Sequence, residues 1–155
     1  MKHTKLKVTA LVALGILGAI VSAQETKLKK SDLPAAVQKT AGEQSQGATV
    51  KGYASEKEGG KLLYEVEMTV NGHSKDVTIA ADGSIVEVEE ETALNALPDA
   101  VQEALKRKAG AGKITKVESL TKHNTLVAYE AQVLTGAKRS EIQVAPDGKD
   151  LAHPE

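Results

Sequence analysis

The chain has 155 residues, with 20 basic side chains against 21 acidic ones, no cysteine, no tryptophan and no phenylalanine. The absence of cysteine excludes a disulfide-stapled scaffold, so the apolar core alone must hold an exported fold. A formal net charge of −1 and only three aromatic rings argue against nucleic-acid binding, because phosphate contacts need clustered cations and bases need rings to stack on.

The first 23 residues have the pattern of a secretory signal peptide. A basic segment, Met1–Lys7, precedes the uncharged apolar run Val8–Val21, which is too short to span a bilayer comfortably. Small residues then stand at positions −3 and −1 of a cleavage site after Ala23. The alternative is an uncleaved membrane anchor, but the short run and the cleavage pattern favour removal. We therefore expect a periplasmic or secreted protein with no membrane span after cleavage, and residues 24–30 form an N-terminal linker.

The remaining chain repeats one set of structural residues at an offset of 64 or 65 positions. What returns is a helix start, a core strand and a turn, without a nucleophile, a metal-ligand cluster or a phosphate loop. A scaffold that is repeated without repeated chemistry indicates binding rather than catalysis. Three dipeptides carry the repeat: Leu33-Pro34 returns as Leu97-Pro98, Tyr64-Glu65 as Tyr129-Glu130, and Asp82-Gly83 as Asp147-Gly148.

The first half predicts one helix followed by strands. Ser31 is a good helix N-cap residue, and Pro34 stands within the first turn, where a missing N–H costs nothing. Strict alternation over Tyr64–Val70 indicates a strand with one apolar and one polar face. Asn71-Gly72 is the strongest hairpin signal in the chain. The other predicted strands are Thr49–Ser55, Asp76–Ile79 and Ile85–Glu89.

The second half predicts the same plan. Asn95 and Pro98 mark another helix start, apolar residues over Leu97–Ala109 recur at helical spacing, and Lys106–Lys108 suit the negative end of the helix dipole. We therefore predict an α+β fold of two tandem repeats, residues 31–91 and 92–155, each with one helix followed by a three- to four-stranded antiparallel sheet. The strands of the second repeat are Ile114–Leu120, Val127–Val133 and Ile142–Val144.

The ordered set of a Leu-Pro-x-x-Val helix, a Tyr-Glu strand and an Asp-Gly turn, present twice at matching spacing, resembles the PepSY and PepSY-like domains. The resemblance covers nearly all of the mature chain, once per repeat, and implies a fold like that of beta-lactamase inhibitor protein. Such domains are exported, small and non-enzymatic, and they bind proteins, especially proteases. The resemblance therefore implies a protein partner and offers no catalytic residue, and the matching residues are fold positions.

No constellation in the sequence points to catalysis or to a cofactor. His73, His123 and His153 stand far apart in predicted turns and near the C-terminus, without the close spacing of metal ligands. No serine has a Gly-x-Ser-x-Gly context, and the chain contains no thiol nucleophile. We therefore predict that the protein is not an enzyme and has neither a cofactor nor a metal site.

Carboxylates on the polar faces of strands are the strongest candidates for binding. Glu65 and Glu67 share one face of their strand, Glu87 and Glu89 alternate in the same way, and Glu130 repeats the pattern in the second half. One interpretation is an acidic sheet face that recruits a basic partner or holds calcium weakly. The other is a solvated strand face that is kept acidic to prevent edge-to-edge aggregation.

Tyr53 completes the predicted partner-binding residues, since an exposed tyrosine would be the best anchor for a partner. The leading hypothesis is an exported, non-enzymatic protein-binding module that modulates or inhibits a secreted or periplasmic protease or an envelope enzyme. The alternative hypothesis is a small-ligand or divalent-cation-binding protein that uses the acidic sheet face.

Overall fold

The computed structural model describes residues 25–155, and the predicted signal peptide, residues 1–23, lies outside the described part. Short 3-10 turns at Lys30–Asp32 and Leu94–Ala96 precede the two helices. No helix among the described residues is both long enough and apolar enough to cross a membrane. In chain order the elements are β1 (Thr26–Leu28), α1 (Ala35–Gln44), β2 (Thr49–Glu58), β3 (Lys61–Val70), β4 (His73–Ala80), β5 (Ile85–Glu91), α2 (Asp99–Ala109), β6 (Lys113–Lys122), β7 (Thr125–Thr135) and β8 (Lys138–Val144).

All eight strands form one antiparallel sheet, in the order in which they occur along the chain. The predicted α+β fold of two tandem repeats, each with its own three- to four-stranded sheet, is therefore wrong. The two halves merge where β5 pairs with β6, from Glu87 opposite Lys122 to Glu91 opposite Glu118. The physical reason is that separate sheets would leave β5 and β6 as edge strands with unpaired backbone groups, and their pairing satisfies both.

Both helices pack on the same face of this sheet, which we call the helix face. Register places Val66, Val77 and Val88 on one face with Thr121, and Thr121 shares its strand face with Val117. The helix face therefore carries two apolar clusters. The buried residues of the first are Leu33, Val37, Ala41, Tyr64, Val66, Met68, Val77 and Ile79, and those of the second are Leu97, Val101, Ala104, Leu105, Val117, Ala131 and Val144.

The repeated dipeptides position the helices on the sheet. Gly83 has φ +88°, and a Cβ at this residue would lie 2.9 Å from the carbonyl oxygen of Ala36 in the first turn of α1. Gly148 has φ +80°, and its Cβ would lie 2.6 Å from the carbonyl oxygen of Ala100 in the first turn of α2. Only glycine permits both the left-handed backbone and the close approach. Each Asp-Gly turn therefore supports the start of one helix.

The predicted helix N-caps are wrong by about one turn. Ser31 lies within the first 3-10 turn and Asn95 within the second, while α1 and α2 begin directly after Pro34 and Pro98. A proline fixes its own φ and donates no hydrogen bond, so it suits the position at which the chain enters a helix. Leu33 and Leu97 directly follow the two 3-10 turns, and each is buried in the apolar cluster against which its helix packs.

Candidate protein-binding face

The face opposite the helices, which we call the outer face, carries rows of carboxylates across the central strands. In one row Glu67 of β3 lies opposite Asp76 of β4, and Asp76 lies opposite Glu89 of β5. Because directly opposite residues share a face, the rows combine into one acidic surface. We call this surface the acidic face, and it consists of Glu65, Glu67, Asp76, Glu87, Glu89, Glu91, Glu118 and Glu130.

A second row crosses β5, β6 and β7 with the same sign of charge. Glu91 lies opposite Glu118, and Glu118 lies opposite Glu130. Glu118 is 4 % exposed and is the one buried charged residue of the described chain. Like charges directly opposite each other destabilise a sheet, so these rows lower the stability of the fold.

Asp76, Glu89 and Glu118 form the centre of the acidic face. One carboxylate oxygen from each lies within 4.8 Å of the others. The Lys116 ammonium group lies 2.5 Å from a Glu118 oxygen, and the Ser74 hydroxyl donates a hydrogen bond of 3.5 Å to the same oxygen. One ammonium group therefore partly compensates three converging carboxylates.

Burial at the centre of the face raises the pKa of two of its carboxylates, and Glu89 keeps its proton near neutral pH. Burial, reinforced by the charges of Glu87 and Glu118, raises the pKa of Glu89 to about 8. Burial also raises the pKa of Asp76 to about 6, although Lys116 opposes the shift. The uncompensated carboxylates therefore reduce their own repulsion by binding protons.

Carboxylates at the periphery of the face are shifted in the same direction. Burial, with the charges of Asp76 and Glu67, raises the pKa of Glu65 to about 7. Burial raises the pKa of Glu130 as well, and a 2.8 Å hydrogen bond from the Gln143 amide opposes that shift. The acidic face therefore loses negative charge when the pH falls below neutral.

Lysines compensate only part of this charge. Burial alone would lower the pKa of Lys116, but its hydrogen bond to Glu118 and the surrounding carboxylates raise it. Lys122 lies 3.6 Å from Glu87 and 3.8 Å from Glu155. Lys116 and Lys122 therefore pair with carboxylates of the acidic face, but they neutralise only part of its charge.

Edge protection does not explain the centre of this face. Asp76, Glu89 and Glu118 lie on β4, β5 and β6, each of which is paired on both sides within the sheet. A charge that prevents aggregation is useful on an edge strand, where backbone groups are unpaired. Simple solvation does not explain it either, because burial already shifts the pKa of Asp76 and Glu89.

Five of the six predicted partner-binding residues come together on the acidic face. Tyr53 does not join them, because it lies opposite Val66 on the helix face and packs, half-buried, against the first apolar cluster. Sequence reasoning missed Asp76 and Glu118, although the alternation in their strands would have placed both on the polar face. The glutamates are Glu65, Glu67, Glu87, Glu89 and Glu130.

Comparison with known proteins supports the fold. No family model and no curated protein matches the chain. Among solved structures, the chain is similar to a BLIP-like protein, that is, one like beta-lactamase inhibitor protein, from Bacteroides fragilis NCTC 9343. The two share 22% identity over 79% of this chain and 85% of that one, with a TM-score of 0.58. The chain thus has a BLIP-like fold.

Two further solved structures agree. A DUF2874 family protein from Bacteroides ovatus ATCC 8483 shares 20% identity over 77% of this chain and 84% of that one, with a TM-score of 0.60. A protein provisionally described as periplasmic, from Bacteroides eggerthii DSM 20697, shares 20% identity over 77% of this chain and 86% of that one, with a TM-score of 0.62. At these identities the similarity shows the fold alone.

Proposed function

We propose that this chain is an exported, non-enzymatic protein-binding module whose acidic face binds a basic segment of a partner protein. The observation that carries the proposal is the convergence of Asp76, Glu89 and Glu118 on three central strands, where they lower stability and protect no edge. Residues that cost stability without a structural benefit are typical of functional sites. Complementary charge is the property that such a face offers to a partner.

Export is supported by the signal-peptide pattern of residues 1–23 and by the periplasmic description of one structural neighbour. The resemblance to PepSY-like domains, with repeats at residues 31–91 and 92–155, favours a protease or envelope enzyme as partner. The name of another neighbour, a BLIP-like protein, agrees with an inhibitor or modulator. The basic segment on the partner would then lie close to the surface that the module covers.

A synthetic decalysine peptide provides a defined probe of the acidic face. Isothermal calorimetry at low ionic strength should detect binding to Gln24–Glu155, and binding should weaken with salt because the contacts are electrostatic. The double variant Glu65→Lys with Glu67→Lys should lose the peptide. The matched control, Glu43→Lys with Glu103→Lys, changes the net charge equally at exposed helix positions and should keep it.

Capture from envelope extract then connects the face to a natural partner. Immobilised wild type and the helix control should retain the same protein, and the face variant should lose it while its melting transition stays cooperative. A partner retained equally by all three forms would place the binding surface elsewhere. If no form binds decalysine or any envelope protein, the proposed function is wrong.

Divalent-cation binding is less well supported by the geometry. Calcium prefers six to eight oxygen ligands, and only three carboxylates converge here, one of which, Glu118, already pairs with Lys116. Calorimetry with calcium and zinc tests this alternative directly. Heat of binding that disappears in Glu89→Gln would favour the cation over the protein partner.

A further inference from the structure

A second charged surface lies at one end of the sheet, outside the acidic face. It is formed by the end of α2, the start of β6 and the β7–β8 hairpin. No acidic residue occurs from residue 104 to 117 or from 133 to 140. We call this surface the basic end. Lys108 also lies there but pairs with Asp150 at 3.0 Å, and the other exposed cationic side chains are those of Lys106, Arg107, Lys113, Lys138 and Arg139.

Backbone packing brings the three segments of the basic end together. Lys113 and Arg139 flank the same residue of β7 on the outer face. Lys106 lines a shallow depression with Gly112. Gly112 approaches the end of β7 so closely that a Cβ there would lie 2.6 Å from the Thr135 hydroxyl oxygen. The cations therefore form one surface rather than scattered charges.

The basic end is not explained by contacts within the molecule. Within residues 25–155 no ion pair involves any of these five cations, whereas Lys108 on α2 and Lys75, Lys116 and Lys122 on the sheet are paired. Cations near the end of a helix complement its dipole, which accounts for Lys106 and Arg107. That effect does not reach the β7–β8 hairpin. On β8, an edge strand, Lys138 and Arg139 also hinder edge-to-edge pairing, but this does not account for Lys113 on the paired strand β6 or for the convergence of all five cations at one end.

The two surfaces have opposite charge and are fixed on one continuous sheet, so they cannot meet within a molecule. We propose that a second copy of this chain docks head to tail, with its basic end against the acidic face of the first copy. This inference rests on the proposed function because it uses the same face, and it names one partner for it. Since the two surfaces differ, the contact is heterologous and association continues beyond a dimer unless a ring closes.

Sedimentation velocity at about 0.01 M ionic strength tests the proposal, since charges then act over about 30 Å. The average mass of Gln24–Glu155 should rise with protein concentration and return to that of a monomer at about 1 M salt, where the screening length is about 3 Å. Two variants each remove one surface. The face variant is Glu65→Lys with Glu67→Lys, and the end variant is Lys138→Glu with Arg139→Glu.

Mixing the two variants gives the sharpest result. Each variant alone should be a monomer, because it lacks one of the two surfaces. An equimolar mixture should associate, since the end variant keeps its acidic face and the face variant keeps its basic end. A swap control, Lys39→Glu with Glu43→Lys on α1, should associate like the wild type.

A wild type that stays monomeric at every concentration overturns the inference, and so does a variant that associates alone or a mixture that does not. If the end variant fails to fold, Lys106→Glu with Lys113→Glu removes the same charge elsewhere on the surface. Decalysine binding is measured separately. A monomeric wild type that binds decalysine leaves the proposed function standing, and one that does not bind it removes both.

Discussion

Asp76 and Glu89 lie directly opposite each other on neighbouring central strands, and their carboxylate oxygens come within 4.8 Å of each other and of a Glu118 oxygen. A well-packed sheet would avoid this arrangement, because directly opposed like charges are unfavourable. The molecule tolerates it because Lys116 supplies one positive charge and because Glu89, with its pKa raised to about 8, keeps its proton near neutral pH. Stability and proton binding are therefore linked at the place where we propose that a basic partner binds.

Glu89→Gln should stabilise the protein at pH 8 and change it little at pH 4. The folded-state pKa of Glu89 is about 8, above its ordinary value of 4.5, so between these values the native state holds a proton that the unfolded state has lost. Stability of the wild type therefore falls as pH rises from about 4.5 to 8. Glutamine stays neutral, and the melting temperature at pH 8 should rise by about 3 °C or more.

The control for this experiment is Glu103→Gln, which changes an exposed glutamate on α2. Its melting temperature should follow that of the wild type at every pH. A Glu89→Gln variant whose stability depends on pH as strongly as that of the wild type would show that Glu89 does not hold the proton. The folded-state pKa of Glu65 is about 7, so Glu65→Gln should stabilise the protein in the same direction but less at pH 8, and the effect should develop between about pH 4.5 and 7.

Local features of the fold could be predicted from the sequence. Alternation placed Tyr64 and Val66 towards the core and Glu65 and Glu67 on the opposite face, because side-chain direction in a strand has a period of two residues. The repeated Asp-Gly dipeptides marked turns, and the structure adds that their glycines support the helix starts. These signals depend only on neighbouring residues.

The merging of the sheet could not be predicted in this way. Whether β5 pairs with β6 depends on how two edges meet in space, and no residue of either strand signals it locally. The centre of the acidic face could not be predicted for the same reason, because Asp76, Glu89 and Glu118 come together only through the register of three strands. Tyr53 lies apart from the carboxylates for a related reason, since its strand face follows from pairing with Val66.

Gly148→Ala should destabilise the protein strongly. Alanine at φ +80° is strained, and its Cβ would lie 2.6 Å from the Ala100 carbonyl oxygen, so α2 must shift. Gly136→Ala is a matched control, because Gly136 also has positive φ but nothing lies within 4 Å of its Cβ position. We expect a loss of about 1 kcal/mol at Gly136 and about 2–4 kcal/mol at Gly148 in urea unfolding. Equal losses would mean that the turn does not support the helix.

Side-chain truncations in either apolar cluster should lower the midpoint temperature of a single, shared unfolding transition. Val66 belongs to the first cluster and Leu105 to the second, and both are fully buried. Because β5 and β6 join the two halves in one sheet, Leu105→Ala should cost about 2–5 kcal/mol and Val66→Ala somewhat less, without splitting the transition. Differential scanning calorimetry checks this. Two separate transitions in either variant would show that the halves unfold independently.

Lys116→Met should destabilise the protein more at pH 8 than at pH 5. The lysine compensates Glu118, which is almost fully buried, and it also opposes the charge of Asp76. At pH 5 a proton on Asp76, whose pKa is about 6, takes over part of this compensation, whereas at pH 8 Asp76 is charged and the lost ammonium group is not replaced. Lys39→Met provides the control, because the Lys39–Glu43 pair is exposed and its atoms are 3.9 Å apart.

The double variant Lys116→Met with Glu118→Gln should recover most of the stability lost at pH 8, because it removes the buried charge together with its partner. Chemical unfolding at both pH values measures this. A Lys116→Met variant that loses the same stability at pH 5 and pH 8 would show that the lysine acts through packing of its side chain. The acidic face would then tolerate its carboxylates by proton binding alone, and decalysine should bind the variant at least as tightly as the wild type.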